Sequence, residues 1–333
     1  MAKGYDFAIF GSGPFSALLA GLLAHDHGKQ VIRIAAPVSP LRLQRAIDLA
    51  LPLATRPASW SMVQRGAAET LALLTAIEAA ETVAPVDVRI VADSPASVTA
   101  LAHMSHIARG NGLAVRDGHF RGVHRLNGDI ALTGSKVQST DAGATLNFTK
   151  AGLAELSIAG EPTEVGQIVL ADDASILDLM PEQQRPSHLT AQPMTATLTA
   201  PARRLAAPVM RYVDRGVTLA QRPDHSILAL VAGERDVEAR LASCLPGPFP
   251  LPRFATTHFR RLVSNDGAPL LGRLRPSRMF VAAGLGNTGA FLAPSIARLL
   301  VGIPTETERP WLVAHDPARP SRETIADFAE TLI

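Results

Sequence analysis

Cysteine, aromatic residues and an excess of charge of either sign are all scarce in this sequence. Its 333 residues include one cysteine, Cys244, and 5% are aromatic, while 32 Lys and Arg stand against 30 Asp and Glu, a formal net charge of +2. A single thiol excludes an internal disulfide framework and a multi-cysteine zinc site. The scattered arginines do not predict a nucleic-acid partner, because such proteins need a concentrated basic face.

Long apolar runs are also missing. The longest one near the start, Phe15 to Ala24, is too short to cross a bilayer and follows glycines rather than a basic segment. We therefore expect a cytoplasmic protein without a membrane span. With 47% hydrophobic and 19% charged residues the chain is not of the disordered class, and its length predicts one large domain or two interleaved domains.

The N-terminal 36 residues follow a strand, glycine turn, helix, strand pattern. The apolar run Tyr5 to Phe10 precedes Gly11-Ser12-Gly13-Pro14-Phe15-Ser16, an apolar helical stretch follows, and Gln30 to Ala36 predicts a second buried strand. In a dinucleotide-binding unit the first glycine makes the tight turn, the second admits the pyrophosphate, and the amides that begin the helix bind it.

The acidic residue that usually binds the ribose hydroxyls is missing from the end of the second strand. That position falls near Ala35, and Gly28 to Ile47 contains arginines but no Asp or Glu. Either the ribose is held by backbone or water, or a basic residue such as Arg42 receives a 2′-phosphate, as in an NADP site. Solvated arginines, or arginines paired with Asp48, are the third interpretation.

A second strand, glycine turn and helix lies near the other end of the chain. Met279 to Ala283 predicts a buried strand that runs into Gly284-Leu285-Gly286-Asn287-Thr288-Gly289 and an apolar helix. One nucleotide cofactor that contacts both ends of the chain would account for the pair of motifs. His103 and His106, three residues apart on a predicted helix, have no third ligand nearby in sequence, so no metal site is predicted.

With these residues the sequence resembles the D-amino-acid oxidase and glycine oxidase superfamily of FAD-dependent oxidoreductases. The likeness rests on the first glycine turn and on an ordered C-terminal pattern, formed here by Arg261, Asp266, Gly267, Pro269, Gly272 and the turn from Gly284 to Gly289. It covers about a quarter of the chain. The resemblance implies an α/β fold, with a Rossmann-like FAD-binding domain of the glutathione-reductase type and an inserted, mainly antiparallel substrate or cap domain.

The implied boundaries are 1–85, 93–190 and 264–333 for the FAD-binding domain, and 86–92 and 191–263 for the cap domain. The resemblance also implies that Arg261 binds a substrate carboxylate, with Tyr212 and His258 as further candidates for the catalytic site. The expected cofactor-binding residues are Gly11, Ser12, Gly13, Pro14, Phe15, Ser16, Arg42, Val123, Gly284, Gly286, Asn287, Thr288 and Gly289.

One departure from the family pattern concerns the strand Gln167 to Ala171. The family usually shows Gly-Ala after it, whereas this chain has Asp172 and Asp173, which are either a helix N-cap pair or a repulsive feature beside a pyrophosphate. The leading prediction is an FAD-dependent enzyme that oxidises a small amine or amino acid. A flavoprotein-fold subunit without catalysis, and an NADP-dependent reductase, are the alternatives. Self-association and a different partner subunit both stay open.

Overall fold

The protein is represented by a computed structural model that describes residues 4–35, 43–77, 79–126, 137–140, 143–245 and 252–320. The strands in these segments are β1 (Tyr5–Phe10), β2 (Val31–Ile34), β3 (Val83–Val91), β4 (Ala114–Arg116), β5 (His119–Leu126), β6 (Val137–Thr140), β7 (Ala144–Phe148), β8 (Ala154–Ile158), β9 (Glu161–Thr163), β10 (Val165–Leu170), β11 (Leu189–Thr199), β12 (Val209–Tyr212), β13 (Val217–Gln221), β14 (Ile227–Ala232), β15 (Arg253–Ser264), β16 (Leu270–Arg273) and β17 (Phe280–Ala283). The helices are α1 (Pro14–His25), α2 (Pro57–Ala76), α3 (Pro95–Gly110), α4 (Asp173–Leu179), α5 (Val237–Ala242), α6 (Gly289–Leu300) and α7 (Arg309–Val313).

Six strands form a mixed sheet in the order β16-β17-β10-β1-β2-β6. Strands β17, β10, β1, β2 and β6 are parallel, and β16 is antiparallel to β17 at the edge. Helices α1, α2 and α6 cover one face, and β7, β8 and β9 pack with α4 on the other. Because both faces are covered, β17 is apolar throughout and β1 is apolar and buried from Phe7 to Phe10. The carboxyl ends of parallel strands meet at one edge, so the turns that follow β1, β10 and β17 lie side by side.

Eight strands form the second sheet in the order β15-β11-β14-β13-β12-β3-β5-β4, with all neighbours antiparallel except β12 and β3. The mixed α/β architecture predicted from the sequence is confirmed. The division between the two units differs, however. Strands β4 and β5 belong to the residues 93–190 that the sequence assigned to the cofactor unit, but β5 pairs with β3 and β4 pairs with β5, so both lengthen the second sheet. Their pairing partner is distant along the chain, so it is not visible in the local pattern.

The segment from Leu43 to Leu53 is extended, although its apolar spacing also suggested a helix. Residues 47–54 are all buried, and the side chains at every second position enter one apolar cluster, as in a strand: Ile47, Leu49, Leu51 and Leu53. The Leu49 amide donates to the Asn287 carbonyl at 2.8 Å, and the Leu126 amide donates to the Asp48 carbonyl at 3.0 Å. The segment therefore connects β5 to the C-terminal glycine turn.

Helices α2 and α6 approach so closely at Gly66 that a side chain has no room. A Cβ built on Gly66 would lie 1.7 Å from the carbonyl oxygen of Phe291. We expect Gly66→Ala to lower the free energy of unfolding by about 3 kcal/mol, because relief requires one helix to shift. Urea denaturation measures this. The matched control is Gly110→Ala at the end of α3, where a built Cβ meets nothing within 4 Å. A Gly66→Ala variant as stable as the control would show that the helices are not in contact here.

Candidate functional site

Both glycine turns open into one cavity of about 250 Å³, here called the larger cavity. Ser12 to Phe15 line it from the first turn, and Leu285, Gly286 and Gly289 line it from the second. The turn after β10 contributes Ala171 to Ala174. The remaining wall comes from residues 43–48 of the extended segment and from Ala282 of β17. Strand β5 contributes Arg125 and Leu126, and strand β15 contributes Phe259, Arg260 and Arg261.

The first turn is tied together by Ser16, which stands where the third glycine of the motif is expected. The Ser16 hydroxyl lies 2.8 Å from the carbonyl oxygens of both Gly11 and Gly13, and it accepts a hydrogen bond from Arg33 Nε at 3.2 Å. A Cβ on Gly11 would come within 2.8 Å of the Ser16 Cβ, so glycine is required there. A Cβ on Gly13 would meet nothing within 4 Å. Gly13 therefore presents bare backbone to the larger cavity.

Asp172 joins this turn to α4. Its Oδ1 accepts from the Ser175 amide at 2.7 Å, which makes it the N-cap of α4, and its Oδ2 accepts from the Ser12 amide at 2.8 Å. Of the two interpretations of the acidic pair, N-capping is thus realised by Asp172. The second contact also shows that the first turn binds an oxyanion, here a carboxylate oxygen of the chain itself.

The second turn is held by hydrogen bonds from three directions. Thr288 Oγ1 donates to the Leu285 carbonyl at 2.9 Å, and Asn287 accepts the Leu49 amide on its main chain. The Asn287 side-chain oxygen accepts from Arg261 Nη2 at 2.9 Å. Of the expected cofactor residues in this turn, Gly286 and Gly289 line the larger cavity; Gly284, with a φ of +66°, shapes the turn behind them.

Arg261 is surrounded by charged groups on the inner side of β15. Asp48 and Asp173 both favour its charged form, while burial lowers its pKa. The Asp173 carboxylate accepts a hydrogen bond from the Leu262 amide, and burial nonetheless raises the pKa of Asp173 to about 6. The Arg261 guanidinium therefore lies at the wall of the larger cavity, bonded to Asn287 and stabilised in its charged form by the buried Asp48 and the half-buried Asp173.

Arg261 also lines a smaller cavity of about 40 Å³, together with Arg211 of β12 and with Gln192, Thr218 and Asn287. Strand register explains why two arginines from distant strands meet there. Directly paired residues lie on the same face of a sheet, as do residues two or four apart along a strand. The residues that connect Arg261 to Arg211 across the sheet in this way are Gln192, Ala196, Leu230 and Thr218.

Tyr212 and His258 alternate with these residues, so their side chains lie on the opposite face of the sheet. The Tyr212 hydroxyl donates to the Cys244 carbonyl at 3.0 Å, and His258 Nδ1 lies 3.1 Å from Thr195 Oγ1. Tyr212 is among the residues that line the smaller cavity with Arg261, but its hydroxyl is bonded to the Cys244 carbonyl, and His258 lines neither cavity. The sequence position of His258, close to Arg261, and that of Tyr212 do not show which face of the sheet each side chain occupies.

One expected cofactor residue lies away from the larger cavity. Val123 is buried in the apolar cluster between the extended segment and the second sheet, opposite Val86, while Arg125 and Leu126 on the same strand reach the larger cavity. Arg42 lies outside the described residues.

Arg211 and Asp48 were missed by the sequence analysis as site residues. Arg211 looks like an ordinary strand residue, and only the register across five strands reveals its place. Asp48 stands in an alternating apolar segment, where a buried carboxylate is a recognisable signal once the segment is read as extended. Among the described residues, no cluster of three or more His, Cys, Asp or Glu has a metal-binding arrangement. None of the helices in the described segments has both the length and the apolar character to cross a bilayer.

Comparison with known proteins gives a similarity in structure and none in sequence. No family model matches the chain, and no curated protein matches it. L-proline dehydrogenase from P. horikoshii has a TM-score of 0.70 at 14% identity, covering 96% of this chain and 98% of its own. Glycine oxidase from Geobacillus kaustophilus has 0.64 at 17%, covering 92% and 95%, and L-amino acid deaminase from Proteus vulgaris has 0.63 at 11%, covering 96% of both chains. These similarities establish a shared fold.

The buried Asp48 predicts a specific pH dependence of stability. Burial raises its pKa to about 7 although Arg261 and Arg125 oppose the shift. Since the folded pKa lies above the ordinary value, the stabilising protonated form is complete below about pH 4 and is lost as the pH rises through 7. Asp48→Asn should therefore gain in unfolding free energy relative to the wild type between these limits, by up to about 4 kcal/mol.

Urea denaturation across this pH range measures the difference. The control is Asp178→Asn on α4, where the carboxylate is exposed and its removal should leave the pH profile of the wild type unchanged. Parallel profiles for Asp48→Asn and the wild type would show that Asp48 is solvated in the folded protein.

Proposed function

We propose that this protein is a flavin-dependent oxidoreductase, with FAD as its cofactor, that oxidises an amino acid or a related amine bearing a carboxylate. The observation that carries the proposal is the convergence of both glycine turns on the larger cavity, with Arg261 in its wall. A cofactor gripped at two places by backbone from the two ends of the chain needs this arrangement. The shared fold with amino-acid dehydrogenases, oxidases and deaminases supports it.

The first turn suits the diphosphate of such a cofactor. Helix α1 begins at Pro14, so the amides of Phe15 and Ser16 have no acceptor within the helix and can bind phosphate oxygens. Gly13 leaves the approach open, and the carboxylate on Ser12 shows that oxyanions are accepted here. The residues present therefore fit the group, with Asp172 as the one contact that opposes it.

The second turn suits the ring system. Helix α6 begins at Gly289, and the partial positive charge at its N-terminus, together with the backbone of Gly286, favours negative charge at this end of the cavity. When bound, the flavin would supply the redox chemistry by accepting a hydride, one proton with two electrons, from the carbon that carries the amine, while the nitrogen gives up a proton to solvent. The resulting imine is then hydrolysed by water.

Arg261 binds and orients the substrate in this proposal. A guanidinium presents two parallel N–H groups to a carboxylate, and here Asn287 fixes one side of the group by accepting from Nη2. Asp173 and Asp48 favour its charged form, against the opposing effect of burial. We assign no proton transfer to Tyr212 or His258, since both lie on the other face of the sheet.

The direct test is whether the purified protein carries or takes up FAD, and whether an amino acid bleaches its visible absorbance without oxygen. Arg261→Lys should retain FAD and lose at least about 30-fold in kcat/KM for amino acids, the equivalent of about 2 kcal/mol of charge-assisted hydrogen bonding. Amines without a carboxylate should be affected far less. A protein that neither contains nor binds FAD would contradict the proposal, and tighter binding of NADPH than of FAD would favour a reductase.

The contact between Asp172 and the first turn predicts a variant with improved cofactor binding. Asp172→Asn keeps an oxygen that caps α4, since Asn and Asp are about equally good N-caps, but removes a negative charge beside the diphosphate. We expect FAD to bind at least about fivefold more tightly, near 1 kcal/mol, in a calorimetric titration. Asp178→Asn, with the same change of charge on the exposed side of α4, should bind FAD like the wild type. Unchanged affinity in both variants would place the diphosphate away from Ser12.

A further inference from the structure

We propose that a basic groove, at the edge of the six-stranded sheet where its parallel strands begin, binds an extended acidic segment of a partner protein. The groove, of about 2090 Å³, is lined by the amino ends of β10 and β17, the turn between β16 and β17, the end of α6, and α7. The larger cavity lies at the carboxyl ends of the same strands, on the opposite edge of the sheet. The inference therefore does not depend on the proposed function.

The charge of the basic groove is almost entirely of one sign. Its described lining residues include one carboxylate, that of Asp316, and five arginines. The arginines are Arg185, Arg273, Arg275, Arg278 and Arg309. All except Arg185 are exposed, and these four form no ion pair with any residue that the structure describes. Because the whole chain is nearly balanced in charge, such a local excess of positive charge predicts an anionic ligand.

The turn between β16 and β17 carries two of these arginines beside a buried hydroxyl. The Arg278 amide donates to the Leu274 carbonyl at 2.8 Å, and Gln167 Nε2 donates to the Arg278 carbonyl at 2.6 Å, so β10 fixes the turn. Ser277 in this turn is 4% exposed, and its Oγ has no hydrogen-bond partner among the described residues. Such a hydroxyl is costly to bury. A carboxylate bound next to Arg275 would supply the missing acceptor.

The length of the basic groove favours an extended chain over a small anion. Arg185 donates to the carbonyls of Leu177 and Met180 at the end of α4, on one side of the sheet, whereas Arg309 begins α7 on the other side. Packed layers lie about 10 Å apart, so a ligand that reaches both arginines must span roughly 20 Å. A single phosphate or carboxylate is too small for this. An extended peptide covers the distance with about six residues.

The walls of the basic groove also have apolar parts. Val313 of α7 is 68% exposed and Leu153 is 36% exposed, and both line the groove. In an extended peptide successive side chains point to opposite sides, so acidic ones can meet the arginines while apolar ones meet these walls. The described lining residues include no Trp or Tyr, and Phe280 is buried, which leaves the bases of a nucleic acid without a stacking surface. The groove therefore fits a peptide of mixed acidic and apolar composition.

Fluorescence polarisation with a labelled eight-residue peptide of alternating Glu and Leu tests the basic groove. The purified protein should bind it at least tenfold more tightly than the same peptide with Lys in place of Glu, and at least threefold more tightly than the one with Ser in place of Leu. Arg275→Glu/Arg309→Glu should weaken binding at least tenfold, because two attractive charges become repulsive. Arg203→Glu/Arg204→Glu, with the same change of charge at exposed positions outside the groove, should bind like the wild type.

A second variant keeps every arginine. Ser277→Ala should lose about threefold in peptide affinity, while its free energy of unfolding in urea is equal to that of the wild type or higher, since the hydroxyl has no hydrogen bond to lose. Its retained stability separates loss of binding from loss of folding.

Three results would overturn the proposal. Peptide affinity unaffected by Arg275→Glu/Arg309→Glu would place the peptide elsewhere on the protein. Tighter binding of an oligothymidylate of eight nucleotides than of the peptide would assign the basic groove to nucleic acid. Peptide binding at least tenfold tighter in Glu323→Gln/Asp327→Asn/Glu330→Gln would show that acidic residues of this chain, and not those of a partner, are the natural ligand.

Discussion

The hydrogen bond from Arg261 to Asn287 joins the two halves of the site. It connects β15 of the eight-stranded sheet to the turn that precedes α6 of the six-stranded sheet, at the place where the larger and smaller cavities meet. A buried guanidinium is stable only when hydrogen-bond acceptors and opposite charges surround it. Asn287 supplies a hydrogen-bond acceptor, and Asp173 and Asp48 supply the opposite charges. The geometry of both cavities therefore depends on the hydrogen bond and the opposite charges that stabilise the Arg261 guanidinium.

The glycine turns were predictable because their pattern is local. A strand, a glycine turn and a helix are visible within 30 residues, and parallel strands bring such turns to a common edge. Arg211 could not be found in this way, since its place beside Arg261 results from pairings across four intervening strand boundaries. The conformation of the segment with Asp48 is ambiguous in sequence, because apolar residues at every second position also satisfy part of a helical pattern.

Asp266 shows a further limit of motifs. In the sequence it belongs to the same C-terminal pattern as Arg261. In the structure it forms a buried ion pair with Arg319, at 2.7 Å, and it also accepts from Ser264 Oγ. These contacts lower the pKa of Asp266 to about 2. Arg319 also donates to the carbonyls of Ala268 and Pro269, so this part of the motif fixes the connection between β15 and β16 rather than a ligand.

Asp172 shows how folding and cofactor binding compete for the same backbone. Glycine at this point would leave the Ser12 amide to the ligand and α4 without a side-chain cap. Asp172 accepts hydrogen bonds from the amides of Ser12 and Ser175. As the N-cap it stabilises α4 by about 1 kcal/mol. The disadvantage appears only when a diphosphate has to share the turn with a carboxylate. In the proposed function, Asp172 therefore improves the folded protein without ligand and weakens its complex with the cofactor, and this effect acts through the Ser12 amide of the first turn.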